Sequence, residues 1–223
     1  ALEADARQRF EQISVELSSL SNTFGSAVLD ATDAWGELIT DEGELAGVSD
    51  TDKAMFAAAA AAKGEAGWRV TLQMPSVNAI LTFAENRDLR ARVYRAFGTR
   101  ASDQGPNAGE FDNSERIARI LELRREAAQL LGFADPVEWS LATKMASDGG
   151  AVLSFLRDLA GRARPAAQRD LDELRAFAAE KLGIADLQPW DVGFASNRLR
   201  QALYAVDEAE VRAYFPVERV MAG

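Results

Sequence analysis

The 223-residue sequence contains no cysteine and no histidine. Without either, these residues cannot build an ordinary zinc hydrolase site, a His-assisted nucleophile or a thiol-based centre from their own side chains. Disulfides are excluded with the cysteines, which fits a reducing compartment. Basic residues are in deficit: 25 Lys and Arg stand against 35 Asp and Glu, a formal net charge of −10. That balance disfavours nucleic acid and anionic membrane, because both are held by basic surface near phosphate. No apolar run approaches the roughly 20 residues that span a bilayer, and the first residues lack the apolar core of a signal peptide. The expectation is a cytoplasmic chain with no nucleic-acid and no membrane partner.

What is present is a globular composition, 48% hydrophobic and 27% charged, able to bury a real core. Phe10, Ile13, Leu17, Leu20, Phe24 and Val28 recur every three or four residues, so one long helix is predicted from Leu2 to about Ala31. Trp35, Leu38 and Ile39 before a turn at Thr40 to Gly43 predict a short strand. The Ala-rich run Met55 to Ala62 predicts helix, and the alternation Trp68 to Met74, ending at Pro75, predicts a strand pairing near Leu38.

All later segments read as helices with their own punctuation. Ser76 is expected to cap a helix to about Glu85; Asp88 to Thr99 forms another, with Leu89, Val93, Tyr94 and Phe97 inward. After a polar loop at 102–113, Ser114 is expected to cap a helix burying Ile117, Ile120, Leu121, Leu123, Ala127 and Leu130, with Gly132 as its left-handed stop. Asp135-Pro136 opens a short helix carrying Trp139 and Leu141. Ser147 or Asp148 starts a long segment to Leu182, kinked or broken at Pro165 and ended by Gly183. Pro189-Trp190-Asp191 opens a helix to about Val206, and Asp207 caps a last short one before Pro216. The fold class is therefore mainly α, a multi-helix array with one small two-stranded antiparallel β element.

Three polar groupings are candidate sites. The stretch Gly98 to Ser114 sets Arg100 beside Asp103 and Gln104, and a guanidinium there could hold a carboxylate or phosphate. The competing reading spends Asp103, Asn107, Asp112 and Asn113 on loop backbone and helix caps. Asp170, Asp172 and Glu173, or Asp207, Glu208 and Glu210, lie at helical spacing, but a carboxylate-bridged metal bundle also wants Glu-x-x-His motifs, for which no histidine exists. Arg157, Arg162, Arg164 and Arg169 crowd Pro165 and are expected to pair with Asp158, Asp170 and Asp172 on the surface.

Particular words then matter more than periodicity. The run from Tyr94 to Gly109, with Asp112-Asn113-Ser114 after it, closely resembles a segment of the bacterial oligopeptidase A branch of the thimet oligopeptidase family. So do Val28 to Trp35, Leu141 to Ala146, Arg162 to Pro165, Leu187 to Asp191 and Tyr214-Phe215-Pro216, in the family's order and over nearly the whole chain. The resemblance implies a neurolysin-like, mainly helical fold and a zinc metallopeptidase that hydrolyses short peptides inside a deep channel. In that family zinc is held by a His-Glu-x-x-His helix and a later glutamate, with the motif's own glutamate as general base.

No residue here matches that motif, so no catalytic or metal residue is assigned to this chain and its substrate-binding residues stay unassigned. The expectation is that 1–223 is a single helical fragment N-terminal to the zinc-binding helix, with a possible subdivision near 102–113. It lacks an initiator Met at Ala1 and stops at Gly223 just after a fresh apolar start, as an internal piece would. Zinc and short peptides belong to the parent enzyme; the fragment is expected to be inactive, to bind no zinc, and to expose apolar faces or dimerise through them. The alternative is a stand-alone helical module that holds peptides or a partner without cutting them. A third possibility is a carboxylate-only metal protein.

Overall fold

A computed structural model describes residues 2–205 and 214–222. The chain divides into two compact units, one of residues 1–31 and 99–168 and the other of 32–98 and 169–223.

The first unit is organised by α1 (Ala4–Ala34) and α5 (Ser114–Leu130). Ile13 on α1 and Leu123 and Ala127 on α5 are buried, with Phe10, Leu17, Leu20 and Leu130 packed around them. Arg9 pairs with Glu126, Arg119 with Glu16, and Asn113 Nδ2 donates to Phe24 O, so rising numbers on α1 meet falling numbers on α5 and the helices run antiparallel. Only one face of α5 is inward: Leu123 and Ala127 are buried, whereas Ile117 and Leu121 are exposed, contrary to the expected apolar set. Those two lie off the stripe that faces α1. Nor is Ser114 the cap. It is the first helical residue, its N–H donating to Asp112 Oδ1 at 2.9 Å. Gly132 takes the left-handed φ of +85° as expected.

The short α6 (Pro136–Leu141) starts as its sequence dictates, with Asp135 Oδ1 accepting from Val137 N at 2.7 Å and Glu138 N at 2.9 Å. Its Trp139 stands edge-on to Phe10 at 6.1 Å. The following α7 (Gly149–Leu182) is 34 residues long and continues through Pro165 without a break. Pro165 and Gly161 sit on an exposed stretch, so the Gly161 carbonyl that the proline cannot pair within the helix is open to water.

In the second unit, β1 (Gly36–Ile39) and β2 (Trp68–Thr71) pair antiparallel in the register Gly36↔Thr71 to Ile39↔Trp68. A 3₁₀ turn (Glu42–Leu45) and α2 (Asp50–Ala61), the latter capped by Ser49, connect the strands. The second strand ends three residues earlier than its alternation suggested, because Met74 and Pro75 already start α3 (Met74–Phe83), proline taking a position where no N–H is needed. Ser76 therefore lies inside the helix, and its buried Oγ accepts from Thr71 N at 2.9 Å. It ties strand to helix rather than capping. Then comes α4 (Arg87–Gly98), and later in the chain α8 (Pro189–Tyr204) and α9 (Val217–Ala222). The short helix expected from Asp207 falls outside the described residues.

Ile39, Leu45, Phe56, Val70, Leu72, Val77, Ile80, Leu89 and Val93 form the main core of this unit. Leu174, Ala178, Ile184, Phe194 and Ala195 form a second cluster between the end of α7 and α8. Tyr94 is not inward as expected; it is 40% exposed and leans on Trp190 at 6.2 Å between ring centres.

Candidate functional site: a buried arginine–aspartate clasp

The most concentrated polar chemistry lies in the second unit. Arg87 and Arg90 are one helical turn apart on α4, so both project to the same side. Asp191 is the third residue of α8, placed there by Pro189 at the helix start. Its carboxylate is fully buried and Arg90 is 1% exposed. Arg90 Nη2 donates to Asp191 Oδ1 at 2.8 Å; Arg87 Nη2 and Nε donate to Oδ2 at 2.8 and 3.0 Å. Gln188 N donates to Oδ2 at 3.0 Å, half of a capping box at the start of α8.

Both arginines also hold backbone. Arg90 Nη1 donates to Ala84 O at 2.6 Å and Glu85 O at 3.2 Å, the carbonyls that follow α3. Arg87 Nη2 donates to Asp186 O at 2.6 Å. The ring of Phe194 lies under Arg90 at 4.2 Å and near Arg198 at 5.1 Å, a cation–π stack that covers the guanidinium. Among the described residues, Arg90 Nε is the one buried side-chain polar atom without a hydrogen-bond partner. Beside the cluster opens a cavity of about 450 Å³ lined by Glu85, Arg87, Arg90, Leu182, Phe194 and Arg198.

Burial alone would raise the Asp191 carboxyl's pKa. The hydrogen bonds from Arg87, Arg90 and the Gln188 backbone, with the Arg87 charge, outweigh that and hold it below the usual carboxylate range. Arg87 is raised in turn, chiefly by its bond to Asp191. Saturated in this way, the carboxylate joins α8 to α4 and, through Arg90, to the end of α3.

The sequence candidates are placed differently. In the loop before α5, Ser102 Oγ donates to Thr99 O, Gly109 N to Ser102 O, and Asn113 N to Ala101 O. Arg116 donates to Asp112 O and Asn113 Oδ1, while Asn107 spends its amide on Glu110. Of the four residues in the capping reading, Asp112 accepts the Ser114 N–H at the start of α5, whereas Asn107 bonds the Glu110 side chain and Asn113 reaches Phe24 O on α1; burial lowers the pKa of Arg100. Asp170 and Glu173 line a shallow, mostly apolar groove with Leu174, Leu199 and Leu203, and Asp172 pairs with Arg175 at 3.3 Å on the exposed helix. Arg162 pairs with Asp158 as expected. Asp207, Glu208 and Glu210 lie outside the described residues.

Zinc of the kind the resemblance implies does not fit these residues. There is no imidazole or thiolate, and among the described residues no group of three or more carboxylates converges. The clasp itself went unpredicted as a cluster. Its signal was Arg90 set among Leu89, Val93 and Phe97, a charge on an apolar stripe that needs a buried anion to answer it.

Oligopeptidase A of Salmonella typhimurium is 47% identical over 222 residues, covering 100% of this chain and 33% of that protein. Oligopeptidase A of Escherichia coli is 46% identical with the same coverage, and a probable cytosolic oligopeptidase A of Arabidopsis thaliana is 40% identical over 99% of the chain. The chain spans about a third of the length of these relatives. No helix among the described residues is long and apolar enough to cross a membrane. The mainly α fold with its two-stranded sheet is the neurolysin-like one expected. The model for peptidase family M3 matches residues 80–223, and with the identity running through the whole chain the protein belongs to that family.

Proposed function

We propose that these residues are part of a cytoplasmic, zinc-dependent oligopeptidase that hydrolyses short peptides, and that they supply helical wall to its substrate channel. The observation that carries this reading is the pairing of 47% identity to an oligopeptidase A over the full chain with a complete lack of histidine and cysteine. In a protein of the relatives' length, the zinc-binding His-Glu-x-x-His helix then lies in sequence following these 223 residues, which form one N-terminal-side piece with no metal of its own. The clasp's part is to fix α8 against α3 and α4, so that the wall keeps its shape without contributing a reacting group.

The test compares the full-length parent with this chain on a short fluorogenic peptide, with and without a zinc chelator. The parent is expected to cleave, to lose cleavage with chelator and regain it with zinc, while the chain alone releases nothing above buffer. Chelator-sensitive cleavage by the chain alone overturns its inactivity. A parent that binds the peptide without cutting it makes the protein a binding module instead. Alone in solution the chain is expected to expose apolar faces or to dimerise through them, and sedimentation showing a compact monomer that binds no apolar dye would remove that expectation.

A further inference from the structure

The first half of α7 is a helix that buries nothing. Every residue from Leu153 to Asp170 is exposed, and Leu153, Phe155, Leu156 and Leu159 are each at least half open to solvent. At about 100° per residue, Val152, Leu153, Phe155, Leu156, Leu159, Ala160 and Ala163 fall on one arc about 160° wide, while Ser154, Arg157, Asp158, Arg162 and Arg164 occupy the rest. This is the pattern of a helix with one buried face, yet from Leu153 on that face is left open by the described residues. A stretch this long is marginal as an isolated helix in water.

Its charge also differs from the remainder. Residues 149–168 carry Arg157, Arg162 and Arg164 against Asp158, net +2, in a chain of net −10. Arg157 and Arg164 border the apolar arc, so a complementary seat is apolar at its centre and acidic at its rim. A second copy is an unfavourable occupant, because two such faces would set arginines against arginines.

We infer that residues 149–168 of α7 dock, through the Leu153–Phe155–Leu156–Leu159 face, into an apolar, acid-rimmed groove on the part of the parent protein that this chain does not span. This rests on the reading of the chain as about a third of an oligopeptidase. The relatives matched along its whole length are about three times as long, which supplies the polypeptide to cover the face.

Hydrogen exchange tests it on the chain and on the full-length parent. In the chain, amides of 153–164 are expected to exchange within about tenfold of the unfolded rate at every concentration, and in the parent at least about 100-fold more slowly. In the parent, Leu156→Asp with Leu159→Asp returns that stretch to fast exchange, whereas Ser154→Asp on the opposite arc does not. Equal exchange in chain and parent overturns the inference without any variant. So does protection in the chain at all concentrations, which means the face packs within it, or protection that rises with concentration, which makes a second copy the occupant. Exchange is read independently of cleavage: a parent inactive on peptides but protected at 153–164 sinks the peptidase reading alone, and an active parent unprotected there sinks this one alone.

Discussion

Replacing Asp191 with asparagine removes the only carboxylate that, among the described residues, is bonded to Arg90, while keeping the shape of the site. Arg90 is 1% exposed and cannot turn to water, so its charge is left buried and uncompensated. Breaking a pair of this kind costs about 3–5 kcal/mol, far above the ~0.2–1 kcal/mol of an exposed pair. For a chain of this size that lowers the melting temperature by roughly 6–20 °C. Arg87→Met supplies the contrast, since the Arg87 side chain is 42% exposed and its loss leaves Arg90 bonded to the carboxylate; about 1 kcal/mol is expected. The combined variant Arg90→Met/Asp191→Leu removes both buried charges and is expected to recover most of the Asp191→Asn loss. Urea unfolding followed by circular dichroism reads all three. An Asp191→Asn loss below about 1 kcal/mol, or a combined variant worse than the single one, refutes the account of a buried charge held by its partner.

The same carboxylate makes stability depend on pH. Its folded pKa lies below the unfolded value of about 3.9, so its contribution is complete above that value and fades as pH falls through the depressed folded pKa. The gap between native and Asp191→Asn urea midpoints is expected to narrow only below about pH 4; a gap that narrows between pH 5 and 7 contradicts the assignment. Gly67 has φ +129°, and an added Cβ would lie 2.4 Å from Ile39 O, whereas Gly64 has φ +70° and open space. Gly67→Ala is thus expected to cost well over the roughly 1 kcal/mol of Gly64→Ala, read as a difference in melting temperature. Asp135→Ala removes both cap bonds of α6 and should cost about 1 kcal/mol, seen first as faster amide exchange at Val137 and Glu138. Arg9→Met breaks an exposed pair with Glu126, and no resolvable melting shift is expected at 0.15 M salt.

Helices were legible where periodicity and punctuation agreed. The Phe10–Ile13–Leu17–Leu20 stripe, Asp135-Pro136 and Gly132 each mark a feature that local chemistry alone decides. Errors came where a neighbour in space decides. Ser76 resembles a cap until Thr71 N claims its hydroxyl, and Tyr94 continues an apolar row until Trp190 draws it aside. Ile117 and Leu121 share a helix with Leu123, but only one side of that helix meets α1. The clasp was hidden for the same reason, since Arg90 and Asp191 are 101 residues apart and no local pattern joins them. The resemblance, carried by words along the whole chain, reached the family without needing any of these contacts.

The second unit is assembled from 32–98 and 169–223, with the closing stretch of the first unit in between. During synthesis, Arg90 therefore leaves the ribosome long before its anion exists. At a translation speed of about 5–20 residues per second, the 101 residues to Asp191 take several seconds or more. Throughout that time the carbonyls after α3 and the guanidinium meant for the interior stay in water, and the chain between them can close the first unit. Nascent chains halted before Asp191 are thus expected to carry a finished first unit and an open second one, an order of assembly fixed by where one aspartate stands in the sequence.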